Sequence, residues 1–264
     1  MNHIALPKEL QKMVNGQPFV LDNTGRSGSK VLIFEDTVLK IQPDTEESRT
    51  EYTMMNWLDG RLPVPKCLYY TVADGVNYLL MSKIGGKMAC DDAYLNNPEW
   101  LIRALAQGLK RMWQVDASNC PVIRDLQNRL AAAEASLLQR ASSSAEAEPQ
   151  TFGNGAFPSP HALLDFLSCH RPSEDLVLSH GDFCLPNVFI DDNGVTGFMD
   201  LAGSGVSDRW QDIALCYRSL KYNLCGIYSG KIYSDFNPDF LFEALEMEPD
   251  WEKLNFYILL DELF

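Results

Sequence analysis

Apolar residues follow two different rhythms along this chain. Up to about residue 85 they come in short runs bounded by turn-forming residues: Lys30-Val-Leu-Ile-Phe34, Thr37-Val-Leu-Lys-Ile41 and Asn77-Tyr-Leu-Leu-Met-Ser82. Such runs predict strands. Glu35-Asp36 between the first two predicts a hairpin, and Pro43 closes its second strand. A polar stretch from Asp44 to Arg49 then opens a helix with Met54, Met55, Trp57 and Leu58 as its apolar positions and Gly60 as its stop. Gly85-Gly86 punctuates the third run. From Pro98 the rhythm becomes helical, with Leu101, Leu105, Leu109 and Trp113 recurring at spacing four. A helix-like segment from His161 to Cys169 follows. Val188-Phe-Ile190 and Val195 to Met199 then flank an Asp191-Asp-Asn-Gly194 turn and predict a second hairpin. Trp251 to Leu260 is almost wholly apolar and predicts a buried terminal helix. Residues 141–160, rich in Ser, Ala, Gly and Pro, predict a mobile surface loop. The pattern as a whole predicts an α+β chain of two lobes, a small β-rich one over residues 1–84 and a larger, mainly helical one over 85–264. Clefts between lobes are common ligand sites.

Composition narrows the partners. With 46% hydrophobic and 22% charged residues in 264, the chain has the make-up of a folded protein with a sizeable core. Acidic residues outnumber basic ones 36 to 22, a formal charge of −14. Nucleic acid calls for the opposite balance, whereas cations are attracted to this one. No apolar run approaches the length of a membrane-spanning helix. The start, MNHIALPKELQKMV, is amphipathic, carries Glu9 and does not read as a secretion signal. The seven cysteines are scattered, without a C-x-x-C pair, which disfavours disulfide frameworks and zinc sites and suits a reducing, cytoplasmic setting.

Candidate chemistry gathers at Ser179-His-Gly-Asp182, Asn187 and Asp200. Phosphoryl transfer needs one carboxylate to orient an attacking hydroxyl, and an amide and a second carboxylate to hold Mg²⁺ on the phosphates. Asp182 and Asn187 have the spacing of a kinase catalytic loop, and Asp200 follows after one hairpin. Upstream, Lys40 at the end of an apolar strand and Glu51 on the next helix match the lysine–glutamate clamp of a nucleotide site. Asp22 to Ser29 is a Gly/Ser loop just before the first strand of the hairpin, with neither a G-x-G-x-x-G nor a P-loop pattern. Met81-Ser82 stands where a strand meets the linker, and its backbone can bond an adenine edge.

These residues resemble the aminoglycoside 3′-phosphotransferases, antibiotic kinases with a protein-kinase-like fold. The likeness runs over nearly the whole chain, on Leu62-Pro-Val-Pro-Lys66, Leu79-Leu-Met-Ser82, Ser179-His-Gly-Asp-Phe-Cys-Leu-Pro-Asn187, Gly197-Phe-Met-Asp-Leu201, Asp208-Arg-Trp-Gln-Asp-Ile-Ala214 and Tyr257-Ile-Leu-Leu-Asp-Glu-Leu-Phe264. Choline, homoserine, fructosamine and macrolide kinases share His-Gly-Asp-x4-Asn; the terminal Leu-Asp-Glu-Leu-Phe is far more particular to the 3′ class. The resemblance implies an ATP- and Mg²⁺-dependent kinase, with GTP as the alternative donor, acting on the 3′-hydroxyl of a small cationic aminoglycoside. It implies Asp182 as the catalytic aspartate, Asn187 and Asp200 as Mg²⁺ ligands, Lys40 with Glu51 as the phosphate clamp, and Ser27 near the γ-phosphate. Asp261, Glu262 and the Phe264 carboxylate would then bind substrate ammonium groups.

The chain departs from the family in three places. Val38 stands where relatives can carry an adenine-stacking aromatic residue. Pro149 to Ala156 holds no acid where relatives are acid-rich, with Glu146 and Glu148 the nearest acids. Ala202-Gly203 replaces a common Gly-Arg. Two competing readings stay open on the residues alone: a kinase of the same fold for an amino alcohol, a sugar amine or a macrolide, and a catalytically idle binding protein for cationic drugs or nucleotides.

Overall fold

The structure, a computed structural model, describes residues 6–22, 29–142, 155–233 and 236–264. It opens with a short helix, α1 (Lys8–Val14), and a five-stranded sheet. The strands are β1 (Val20–Asp22), β2 (Lys30–Ile33), β3 (Thr37–Pro43), β4 (Cys67–Ala73) and β5 (Val76–Ser82), in the order β1-β2-β3-β5-β4. Every pairing is antiparallel. Helix α2 (Glu46–Leu58) links β3 to β4. It begins on a capping box in which Thr45 and Ser48 satisfy each other's backbone N–H groups.

Alternation in β3 and β5 divides the apolar side chains between two clusters. Leu39, Ile41 and Leu80 pack with Leu10 and Val14 of α1. Leu79 and Met81 pack with Met54, Met55 and Leu58 of α2. Lys40, between Leu39 and Ile41, therefore emerges on the α2 side of the sheet. It lies in mid-strand rather than at the strand's end.

Beyond Ser82 the chain is mainly helical. Strand β6 (Lys87–Met88) and helix α3 (Asp92–Leu95) lead into α4 (Pro98–Trp113), α5 (Leu126–Ser142) and α6 (Pro160–Cys169). Strands β7 (Leu176–Ser179) and β10 (Gly205–Asp208) form one ribbon, while β8 (Val188–Asp191) and β9 (Gly194–Phe198) form the predicted hairpin, with β6 at its edge. Helices α7 (Arg209–Leu224), α8 (Phe240–Leu245) and α9 (Trp251–Asp261) complete the fold. A single apolar cluster runs from Met54 on α2 through Leu105 on α4 and Ile213 on α7 to Leu260 on α9. Polar ties reinforce it: the Phe198 N–H donates to Pro63 O at 2.9 Å and the Thr196 hydroxyl to Gly85 O at 2.7 Å.

The α+β architecture is as the hydrophobic pattern predicts, with differences in detail, among them the short strands β1, β6, β7 and β10, which the pattern does not mark. Strand β4 went unread because Tyr69-Tyr-Thr71 breaks the alternation and leaves only intermediate burial. Helix α5 continues to Ser142, into the stretch expected to be loop; residues 143–154 of that stretch lie outside the described residues. Helix α9 buries Leu254, Phe256, Tyr257, Leu259 and Leu260 as expected, but its first residue, Trp251, is 48% accessible.

Candidate active site

Strand β7 ends at Ser179, and the chain then turns so sharply that Gly181 takes φ +82°. A Cβ at Gly181 would collide with the Gly203 carbonyl, so this turn requires glycine. Asp212, fully buried on the first turns of α7, fixes the turn from beneath. Its two carboxylate oxygens accept the His180 N–H at 2.7 Å and the Gly181 N–H at 2.9 Å. Burial pushes the Asp212 carboxyl above its ordinary pKa, opposed by His180 and by these N–H groups. The His180 ring lies 2.9 Å from Met199 O through Nε2, which ties the Asp182 loop to the residue just before Asp200.

Asp182 leaves this frame partly buried. Asn187 Nδ2 donates to Asp182 Oδ2 at 2.8 Å and to the Asp182 carbonyl at 3.0 Å. That orients the carboxylate and leaves the Asn187 amide oxygen as a free ligand atom. Asp200, left-handed at φ +59° and exposed to the cleft, accepts from Lys40 Nζ at 3.0 Å. Lys40 Nζ also lies 2.9 Å from both oxygens of Glu51, and Gln42 Nε2 donates to Glu51 Oε2 at 3.1 Å. Burial would lower the Lys40 pKa, but Glu51 and Asp200 together hold it above its ordinary value. The lysine is therefore an ammonium throughout the physiological range.

Asn187 and Asp200 offer two oxygen donors, one of them charged. That suits Mg²⁺, which keeps several waters and is commonly held by one or two carboxylates together with substrate phosphates. Among the described residues no cluster of three or more His, Cys, Asp or Glu could form a closed metal site. Cys184, two residues past Asp182, has its thiol pushed well up by burial and is no nucleophile.

Beside Asp182 opens a cavity of about 710 Å³ lined by Glu47, Arg124, Arg129, Asp261 and Phe264 among others. Asp261 is held by an ion pair with Arg218 at 2.5 Å, from α7. The Arg129 guanidinium lies 5.0 Å over the Phe264 ring. Glu262, partly buried, caps α9. Asp182, Asp261 and Phe264 thus share one cavity, while Lys40, Glu51 and Asp200 form a separate ion-pair cluster. Ser27 lies outside the described residues. Met81 pairs with Val38 and Ser82 with Thr37 across β5 and β3. The Ser82 N–H donates to Lys66 O at 2.9 Å, so an adenine edge met here would draw on carbonyls rather than on that amide.

Sequence reasoning quoted Asp212 within Asp208–Ala214 without giving it a role, and passed over Arg218, Arg124 and Arg129. Arg129 carried a readable signal, since it interrupts the buried stripe Leu126, Leu130, Ala133, Leu137 of α5. The others depend on contacts between distant segments.

Residues 20–257 match the profile of the phosphotransferase enzyme family. Over 275 aligned positions covering all of both chains, the sequence is 35% identical to an aminoglycoside 3′-phosphotransferase of Enterococcus faecalis. The chain belongs to the aminoglycoside 3′-phosphotransferase family. A Staphylococcus aureus member is 34% identical over 274 positions, again with both chains fully covered. Among solved structures, an aminoglycoside 3′-phosphotransferase of type VIII superposes with a TM-score of 0.77 at 23% identity, covering 97% of each chain. An aminoglycoside phosphotransferase of Streptomyces rimosus superposes at 0.78 and 22%, over 96% of this chain and 95% of its own. These two likenesses carry the fold. The membership expected from Ser179-His-Gly-Asp182 and the terminal Asp261-Glu-Leu-Phe264 is thus met.

Proposed function

We propose that this family member transfers the γ-phosphoryl group of ATP to the 3′-hydroxyl of kanamycin- and neomycin-type aminoglycosides. The observation that carries the reading is the placing of Asp182. Asn187 orients its carboxylate at the edge of a cavity that also holds Asp261 and Phe264, and Lys40, Glu51 and Asp200 cluster on the nucleotide side. Residues up to 84 would hold the nucleotide, and the remainder the catalytic loop and the acceptor.

Asp182 accepts a hydrogen bond from the acceptor hydroxyl and takes its proton as the oxygen bonds to phosphorus. The bond from phosphorus to the ADP oxygen breaks in the same displacement. Lys40, held by Glu51, meets the α- and β-phosphates. Asn187 and Asp200 would hold Mg²⁺, which neutralises phosphate charge when bound. Catalysis then rests on positioning and charge neutralisation, with no covalent enzyme intermediate. Asp261 and Glu262 replace the water lost by substrate ammonium groups, and Asp261 is shared with Arg218. The use of ATP suits a cytoplasmic protein, and among the described residues no helix is long and apolar enough to cross a membrane.

ADP release from the purified protein with MgATP tests the proposal, using kanamycin, neomycin, an analogue lacking the 3′-hydroxyl, choline and no acceptor. Turnover that requires the 3′-hydroxyl is expected. Turnover with choline alone, or equal turnover with the deoxy analogue, would refute the substrate assignment.

A further inference from the structure

Arg124 and Arg129 both line the cavity beside Asp182 with a buried Nε that has no acceptor, but the Arg129 guanidinium lies over the Phe264 ring whereas that of Arg124 reaches the segment after Asp200. Arg218 is paired with Asp261, Arg49 with Asp44, Arg103 with Glu99 and Arg209 with Asp175. Arg124 makes no ion pair among the described residues, although it lines the cavity beside Asp182 and its Nε is buried without an acceptor. Its one side-chain hydrogen bond runs from Nη2 to Ala202 O at 3.2 Å. Ala202 is two residues past Asp200, and the adjoining Gly203 abuts Gly181, the neighbour of Asp182. The guanidinium is therefore fixed to the segment that follows Asp200 and lines the same cavity as Asp182.

Its base is rigid. The Arg124 N–H donates to Val206 O at 2.7 Å, and the Ser207 hydroxyl donates to Arg124 O at 2.9 Å. The stem crosses Gly205 so closely that a Cβ there would lie 3.0 Å from Arg124 Cγ. A partly buried guanidinium without a carboxylate is costly unless an anion completes it. The proposed acceptor cannot, since its ammonium groups are repelled by the same charge. A phosphoryl group held at Asp182 suits it, since its three outer oxygens match a planar fork of N–H donors. The segment after Asp200, Leu201-Ala-Gly203, brings no cation of its own.

We infer that Arg124 is a further catalytic residue, its guanidinium meeting the oxygens of the phosphoryl group during transfer. The inference rests on the kinase reading above and not on which acceptor is used.

The decisive measurement is binding of MgADP to the full chain with and without aluminium fluoride, a mimic of the transferring phosphoryl group. Arg124→Gln should weaken the fluoride complex about 100-fold, the effect of losing one transition-state donor, with MgADP alone unchanged. The kcat should fall by a similar factor and the acceptor KM should not rise. A Cβ at Gly203 would meet its nearest neighbours at 3.4–3.5 Å, ordinary contact. Gly203→Arg in the Arg124→Gln background therefore offers a cation from the facing wall and should recover at least tenfold of the loss. Unchanged fluoride binding in Arg124→Gln, or equal loss of MgADP affinity, would overturn the inference in favour of a structural strut. So would a raised acceptor KM with fluoride binding intact, which marks acceptor positioning. If Arg124→Gln does not fold, Arg124→Lys carries the test: it keeps stem and charge but not the fork, and should still weaken the fluoride complex selectively. Intact fluoride binding without kanamycin turnover would remove the substrate assignment and leave Arg124 in place.

Discussion

Lys40 and Asp200, 160 residues apart in sequence, meet across the cleft at 3.0 Å, and the same ammonium is clasped by both oxygens of Glu51. Strand β3, helix α2 and the loop that bears Asp200 are thus joined through one ammonium. On the proposed reading, phosphates entering the cleft would compete with Asp200 for Lys40, and Asp200 would then be available to hold Mg²⁺. Lys40→Met should therefore lower kcat/KM for ATP by about 10²–10³-fold, the range for losing one preorganised charge donor. Steady-state rates at varied ATP read this directly, and a change below threefold would remove Lys40 from the phosphate site.

Asn187 Nδ2 orients the Asp182 carboxylate, donating to Oδ2 at 2.8 Å. Asp182→Ala is expected to cut kcat by about 10²–10⁴-fold, the usual worth of a positioned general base, with MgATP affinity nearly intact. Substantial residual turnover would mean that another group accepts the hydroxyl's proton.

Asp212 acts through the loop it holds. Asp212→Asn turns one acceptor into a donor facing a backbone N–H, and should cost roughly 1.5–3 kcal/mol of stability as well as activity. The pH dependence has a definite sign. Burial holds the native Asp212 pKa above its unfolded value, so the native state binds the proton more tightly. Its stabilising contribution is complete below the unfolded value and is lost as pH rises through the native one. The stability gap between wild type and Asp212→Asn should therefore narrow as pH rises above about 4 toward neutrality. Paired urea titrations across that window check it, and a widening gap would contradict the burial argument.

The sequence made the chemistry legible wherever one short segment carries it. Asp182 and Asn187 sit five residues apart in one loop, and the β3 alternation that buries Leu39 and Ile41 aims Lys40 at Glu51. What stayed hidden depends on distant segments. Asp212 reads as an ordinary polar residue early in a helix until β7 delivers two backbone N–H groups to it. Asp261 reads as an exposed acid near the end of the sequence, and only the packing of α7 beside α9 reveals Arg218 as its partner. Strand β4 was invisible because its two tyrosines and threonine lie on a half-buried surface with no period of two.

Because Asp261 is shared between Arg218 and the acceptor cavity, the two residues should separate kinetically. Asp261→Asn is expected to raise the acceptor KM about tenfold or more, the cost of one charge-assisted hydrogen bond of roughly 1.5–3 kcal/mol, and to leave the KM for ATP unchanged. Arg218→Gln frees the same carboxylate, so it should lower Tm without raising the acceptor KM. Equal effects of the two variants on acceptor KM would mean that Asp261 serves only as a structural partner of Arg218.

Two glycines with similar backbone angles isolate what the Asp182 turn requires. Gly75 has φ +74° in the β4–β5 turn, with open space where a Cβ would be. Gly181 has φ +82°, and a Cβ there would strike the Gly203 carbonyl. Alanine at either position incurs the left-handed penalty of about 1–2 kcal/mol, a few degrees in Tm for a chain of this size. Only at Gly181 must the backbone also move, and it can do so only by parting the Asp182 loop from the Asp200 segment or by breaking the two N–H bonds to Asp212. Gly75→Ala should therefore show a small fall in Tm with wild-type kcat. Gly181→Ala should lose most of its activity even where it remains folded by circular dichroism. Wild-type kcat in a folded Gly181→Ala would show that the contact between Gly181 and Gly203 does not set the geometry of the reacting groups.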